Sequence, residues 1–341
     1  MGRGSYEKKV HLAFIFALIM SLISLVGCSS SPTNSTDTKA SSEKVMNIGI
    51  VQIVEHPSLD AARKGFIDAL KANGYEEGKQ VKLDYQNAQG QASNLTTISQ
   101  KFANDKVDMI FAIATPSAQA AAQQTKDIPI LITAVTDPVD AGVVKSMEKP
   151  DTNVTGTTDM NPVKDQLALI KQIKPNAKKV GIIYNTGESN TEVQIKIAKE
   201  AAPGLGLELE LVGVTNSSEV KQAADALAAK VDAIYVPTDN IVVSALDSVL
   251  KVAEQAKIPV VVGEGDSVKK GGLITYGLDY YKLGYQTGEM AVKVLKGKAK
   301  PQDMAIETQK EFKLLINKKA AVNMGITIPD ELLKKADEVF E

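Results

Sequence analysis

Two stretches of this chain match without a gap: "VDMIFAIATPS" (Val107–Ser117) and "VDAIYVPTDNI" (Val231–Ile241). Each opens on Val-Asp, runs through β-branched and apolar residues, and ends in a polar turn containing proline. A short apolar run bounded by turn residues reads as a strand buried on both faces, as in a parallel sheet. The match extends on either side. "KKVGIIYN" (Lys178–Asn185) echoes "MNIGIVQ" (Met46–Gln52), and "LELELV" (Leu207–Val212) echoes "VKLDYQ" (Val81–Gln86). "DIPILI" (Asp127–Ile132) and "KIPVVV" (Lys257–Val262) close the two units. Order and length agree over four elements, which implies an internally duplicated βα module and two similar α/β lobes.

Between the strands lie segments with helical spacing. Leu59, Ala62, Phe66, Ile67 and Leu70 fall on one face, and "NGY" (Asn73–Tyr75) stops that helix. Helices over Leu95–Asn104 and Ser117–Thr125 continue the alternation. Strands alternating with helices predict parallel sheets covered on both faces. The units join near "KPDTNVTGTTDMNP" (Lys149–Pro162). The tail from Gly271 exceeds what a second copy needs: a strand and long helix over Leu273–Gly297, a strand at Phe312–Ile316, and an amphipathic helix over Ile328–Phe340.

The other end of the chain has a different character. Arg3, Lys8 and Lys9 precede an apolar run from about Val10 to Val26, the order of a secretory signal. "LVGC" (Leu25–Cys28) fits a bacterial lipobox and holds the only cysteine, so Cys28 is read as a lipidation point. "SSSPTNSTDTKASSEK" (Ser29–Lys44) has little to bury and reads as a tether. These features predict a protein anchored on the outer face of a cell membrane. A formal net charge of −2 and the absence of Trp argue against nucleic-acid binding. His11 and His56 are the only histidines, too few for a His/Cys metal site, and no cofactor motif is present. Catalytic signatures such as GxSxG, HExxH or a P-loop are also absent, so an enzyme is not expected.

Several stretches together resemble a known family: "EHPSLDAARKGF", "IATPSAQA", "AVTDPVDAGVV", "NVTGTTD", "VPTDN", "YYKLGYQTGEMAVKVLKGKAKP" and "INKKAAVNMGITIPDELLKKAD". In this order they are similar to the type I periplasmic-binding-protein-like lipoproteins of ABC importers. More narrowly, they resemble the ABC substrate-binding family that includes tryptophan- and other aromatic-amino-acid-binding members. The resemblance implies two doubly wound lobes joined by a three-segment hinge near Thr155–Asp159, Thr275–Asp279 and Glu307–Phe312. Residues 1–27 would be the signal peptide and 28–44 the tether. Lobe one would comprise 45–157 plus 277–308, and lobe two 158–276 plus 309–341. A monomer that hands an amino acid to an ABC permease and its ATPase is implied. The same fold would also serve a sensor for a membrane kinase, or take a branched-chain amino acid, a sugar or a nucleoside.

In open parallel sheets, ligands sit at the carboxyl ends of strands, near helix N-termini. On that rule His56 and Ser58 follow the first strand, and Thr115, Pro116 and Ser117 the third. Thr136 and Asp137 follow the fourth. Asn185, Glu188 and Asn190, then Thr238, Asp239 and Asn240, are the counterparts in the second repeat, with Glu264 in "GEGDSV". The gapless match sets Thr115 opposite Asp239. One lobe thus offers hydroxyls at a positive helix end, suited to a carboxylate, and the other an anion suited to an ammonium. Ser117, Thr238 and Asp239 also stand where N-caps belong. Tyr184, Tyr235 and Tyr276 are strand residues, for which the core is the default place, and "GEGDSV" reads as a loop.

Overall fold

A computed structural model describes residues 44–341. The leader, Cys28 and most of the Ser/Thr-rich stretch lie outside them. The first repeat comprises β1 (Met46–Gln52), α1 (Pro57–Ala72), β2 (Val81–Asn87), α2 (Ala92–Asn104), β3 (Met109–Ile113), α3 (Thr115–Gln124), β4 (Ile130–Val135) and β5 (Val154–Thr158). Next come α4 (Val163–Ile173), β6 (Lys179–Asn185), α5 (Ser189–Ala201), β7 (Glu208–Val214), α6 (Val220–Ala228) and β8 (Ala233–Val236). The second repeat ends with α7 (Asn240–Ser244), α8 (Leu246–Ala256), β9 (Val260–Val262), α9 (Gly265–Lys270) and β10 (Ile274–Gly277). The tail adds α10 (Tyr280–Leu295), β11 (Glu307–Thr308), β12 (Lys313–Asn317), α11 (Lys318–Met324), α12 (Asp330–Lys335) and β13 (Glu338–Phe340).

Two sheets form, ordered β11-β5-β4-β3-β1-β2 and β13-β12-β10-β9-β8-β6-β7. The repeats reproduce one another down to the register. Ile50 lies beside Phe111 in the first sheet, and Ile182 beside Tyr235 in the second. The chain crosses between the sheets three times: after β5, after β10 and after β11. Each sheet is sandwiched by helices around its own apolar core. The central strands are buried along their whole length because both faces are covered.

The tail departs from the sequence reading in two ways. β12 runs antiparallel to β10, so the second sheet is not wholly parallel. The helix expected over Ile328–Phe340 stops at Lys335, and Glu338–Phe340 instead adds a strand beside β12. Asp337 makes the switch, since its backbone N–H donates to the Leu314 carbonyl while its carboxylate accepts from the Leu314 N–H at 2.7 Å. Exposed backbone along β12 is thereby paired, an outcome that side-chain spacing alone does not register.

The crossing of α1 and α10 fixes lobe one to the hinge. A Cβ on Gly284 would lie 1.8 Å from the Ala62 carbonyl oxygen, and one on Gly65 would lie 2.0 Å from that of Tyr281. Only glycine lets these two helices approach so closely. Beneath them the Phe66 and Phe111 rings stack at 3.7 Å.

Candidate ligand-binding cleft

The carboxyl ends of both sheets face a small enclosed cavity. His56, Leu59, Ala134, Asp159 and Tyr280 line it from lobe one and the hinge, and Asn190, Thr238, Asp239, Asn240, Val243 and Glu264 from lobe two. Six of the residues named from sequence are therefore brought to one cavity: His56, Asn190, Thr238, Asp239, Asn240 and Glu264. Ser58, Thr115 and Ser117 are not in its lining; they are buried in the first turns of α1 and α3. Asp137 is not part of this group. Its carboxylate accepts from Val139 and Asp140 N–H groups and shapes a turn at the rim. Tyr235 lies in the lobe-two core, donating to Gln166 at 2.7 Å, and Tyr184 and Tyr276 also pack against that core.

Within lobe two, two acids hold the loops together. Asp239 accepts from the Val242 N–H (2.9 Å), the Asn185 N–H (2.6 Å) and the Thr191 hydroxyl (3.0 Å). It caps α7 and pins the loop after β6. Glu188 accepts from Asn190 Nδ2 (3.0 Å), Asn240 Nδ2 (2.6 Å) and the N–H groups of Asn240 and Ile241. Burial, with the Asp239 charge second, pushes Glu188 up to about 8. Of the three N-caps expected, only Asp239 caps: α3 is entered through Ala114, and Ser117 stands inside its first turn. With its oxygens so engaged, Asp239 is less suited to face an ammonium than the sequence suggested.

The remaining acids are more open to a ligand. Asp159, in the first crossover, accepts only from the hydroxyls of Tyr280 (2.6 Å) and Thr136 (3.3 Å). Burial raises its pKa against those two bonds. Glu264 accepts from Ser267 at 2.8 Å, and burial pushes it up to about 7. "GEGDSV" is no loop, for Gly265–Lys270 is a helix that Glu264 precedes. His56 Nδ1 stands 4.0 Å from Glu264, across the cleft, and burial lowers the imidazole to about 4. Desolvation therefore favours the neutral form of both. Neither Lys nor Arg is among the lining residues.

Several buried polar atoms in these loops lack protein partners. The hydroxyls of Thr115, Ser117 and Thr238 and Oδ1 of Asn190 are buried and make no hydrogen bond, while His56 and Ser58 have only looser contacts, with Asn240 and Glu264. A buried polar atom left so costs about 1–3 kcal/mol. These groups come from four strand ends, after β1 and β3 in lobe one and after β6 and β8 in lobe two, and His56, Asn190 and Thr238 among them line the cavity. Strain adds to the cost, because Ala114 has φ 79° and ψ 157° and Ala134 has φ 55°. Non-glycine residues seldom adopt such angles outside functional sites.

Sequence reasoning missed Leu59, Ala134, Asp159, Val243 and Tyr280. The hinge was the available signal for two of them, since a crossover strand must floor the cleft it spans. The apolar three carry no mark distinguishing them from core.

Comparison with known proteins accords with this geometry. A tyrosine-binding protein of Clostridioides difficile (strain R20291) is 48% identical over 314 residues, 91% of this chain and 90% of its own. The structure of an ABC domain from Streptococcus pneumonia in complex with L-Trp is 40% identical, with a TM-score of 0.84, covering 87% of this chain and 100% of the other. A ligand-free, open structure of a substrate binding protein with adhesive properties from Clostridium difficile is 47% identical and covers 87% and 99%, yet its TM-score is 0.64. The overall match is thus better to the L-Trp complex than to the ligand-free, open structure, although identity to the latter is higher. Here residues of both repeats line one cavity. The family described as ABC transporter substrate binding protein matches residues 47–340. The chain belongs to that family, whose members bind solutes and are not enzymes.

Proposed function

We propose that this protein captures an aromatic α-amino acid between its lobes and presents it to an ABC import permease. The observation that carries the reading is the sorting of unspent polar groups around the cavity. Hydroxyls of Thr115 and Ser117, at the positive end of α3, suit a carboxylate. Asp159 and Glu264, buried with no cationic neighbour in the lining, suit an ammonium. Leu59, Val243 and the Tyr280 ring supply an apolar wall for the side chain. The tyrosine-binding and L-Trp-bound relatives support an aromatic choice.

The lipobox reading of Leu25–Cys28 supports an anchor on the extracytoplasmic face, with the lipid on Cys28. Incorporation of a fatty-acid analogue, lost in Cys28→Ala, is the expected result.

Calorimetric titration against tyrosine, tryptophan, phenylalanine, leucine, glucose and adenosine tests the ligand. Tyrosine or tryptophan should bind more tightly than the rest. At a hundred times Kd the ligand should add about 2.7 kcal/mol of stability. Binding of glucose or adenosine alone would overturn the zwitterion reading.

A further inference from the structure

Ile241 is 4% exposed, yet it belongs to the apolar core of neither lobe. It stands in the first turn of α7, on lobe two, and its neighbours Val242 and Val243 do enter that lobe's core. The Ile241 side chain turns the other way. Its Cδ1 lies 2.9 Å from the position a Cβ would take on Gly90, in the lobe-one loop after β2, and no other atom lies within 4 Å of that position. Gly90 has φ 73° and leaves room for the isoleucine tip. A second contact joins the same rims. Gln119, on α3, donates from Nε2 to the Ala141 carbonyl in its own lobe at 3.1 Å and to the Ser189 hydroxyl at the start of α5 at 3.4 Å. None of these four residues lines the cavity.

We infer that Ile241 against Gly90, with Gln119 on Ser189, forms a latch across the cleft mouth that sets ligand affinity without touching the ligand. The inference rests on the binding function proposed above. Opening the hinge separates residues that meet only across the cleft, so Ile241 gives up its burial when the lobes part. Its burial then favours the closed arrangement, whatever occupies the cleft. A ligand held between closing lobes is bound more weakly in proportion to any loss of the closed population. The effect is expected in the dissociation rate, because a latch forms after the ligand has entered.

The test titrates the full chain and its variants with L-tyrosine and L-tryptophan. Ile241→Ala is expected to weaken binding about tenfold, the order set by the apolar area lost, mostly through faster dissociation. Gln119→Ala should weaken binding by about two- to fivefold. Unchanged affinity together with a lowered ligand-free melting temperature in Ile241→Ala would show an ordinary core residue and overturn the latch. Failure of the wild type to bind either amino acid is the separate failure of the proposed ligand. The latch is then read from small-angle scattering of the ligand-free chains. There Ile241→Ala should raise the radius of gyration, and an unchanged radius would overturn it.

Discussion

Thr115 and Asp239 hold equivalent positions in the two repeats, yet their oxygens have opposite fates. The Thr115 hydroxyl has no partner, whereas the Asp239 carboxylate accepts three hydrogen bonds. Thr115→Val should therefore weaken amino-acid binding about tenfold, the cost of a hydrogen bond to a charged group. The ligand-free melting temperature should hold or rise, since an unpaired buried hydroxyl is removed. Asp239→Asn should do the reverse. An amide cannot accept from both the Asn185 N–H and Thr191 while facing Val242, so about 1–3 kcal/mol of stability should be lost. Affinity should stay within about threefold when measured where the variant remains folded. A large loss of affinity in folded Asp239→Asn would return the ammonium to Asp239. The location of both residues was legible in the sequence, because strand ends in parallel sheets are where ligands gather. Which oxygen is spent was not legible, since that depends on partners such as Asn185 and Thr191, about fifty residues away.

Among the elements, the crossing of α1 and α10 is the tightest joint. Gly284→Ala would drive a methyl into the Ala62 carbonyl, and backbone cannot step aside as a side-chain tip can. Overpacking of this kind costs about 1–3 kcal/mol, or roughly 3–10 °C in melting temperature. Gly204→Ala, with nothing within 4 Å, is the control and should leave the melt unchanged. Affinity should fall in Gly284→Ala as well, because α10 begins with Tyr280, whose hydroxyl holds Asp159 at the cavity. An unshifted melt would mean that the helices separate at no cost. The repeated strands and helices were readable because apolar runs and helical spacing are local signals. The end of the chain was not. Leu332, Leu333, Val339 and Phe340 satisfy helical spacing, and only pairing with β12, a distant partner, makes the last of them a strand. The α1–α10 joint was hidden for the same reason, since Gly65 and Gly284 are ordinary residues until the helices meet.

At the scale of the whole molecule, His56 of lobe one lies against Glu264 of lobe two and both are buried, an arrangement that parting of the lobes would undo. The buried imidazole, held at about 4, lies below its free value of 6.5. On that count alone the open form binds more protons between those values, and closure loses free energy as pH falls through them. Glu264, pushed up to about 7 by the same burial, has the opposite sign, so the two shifts offset over nearly one range. Affinity for tyrosine should therefore change little between about pH 7 and 4.5, and His56→Gln, which removes one side of the balance, should make affinity rise as pH falls. A steep acid decline in the wild type would overturn this balance. Glu188 carries the same sign as Glu264. Raised from 4.5 to about 8, it contributes fully below 4.5, and its contribution is lost as pH rises through 8, so the ligand-free melt should fall on that side. The three crossovers also govern the order in which the protein is made. β5 ends at Thr158, but α10, which must cover α1, begins only at Tyr280. At about 5–20 residues per second, the roughly 120 residues between them take on the order of 10 s to emerge from the ribosome. For that interval the first lobe has every strand but its last and no lid for the Ala62 and Phe66 face of α1. A newly made chain thus stays incompletely folded until it is nearly finished.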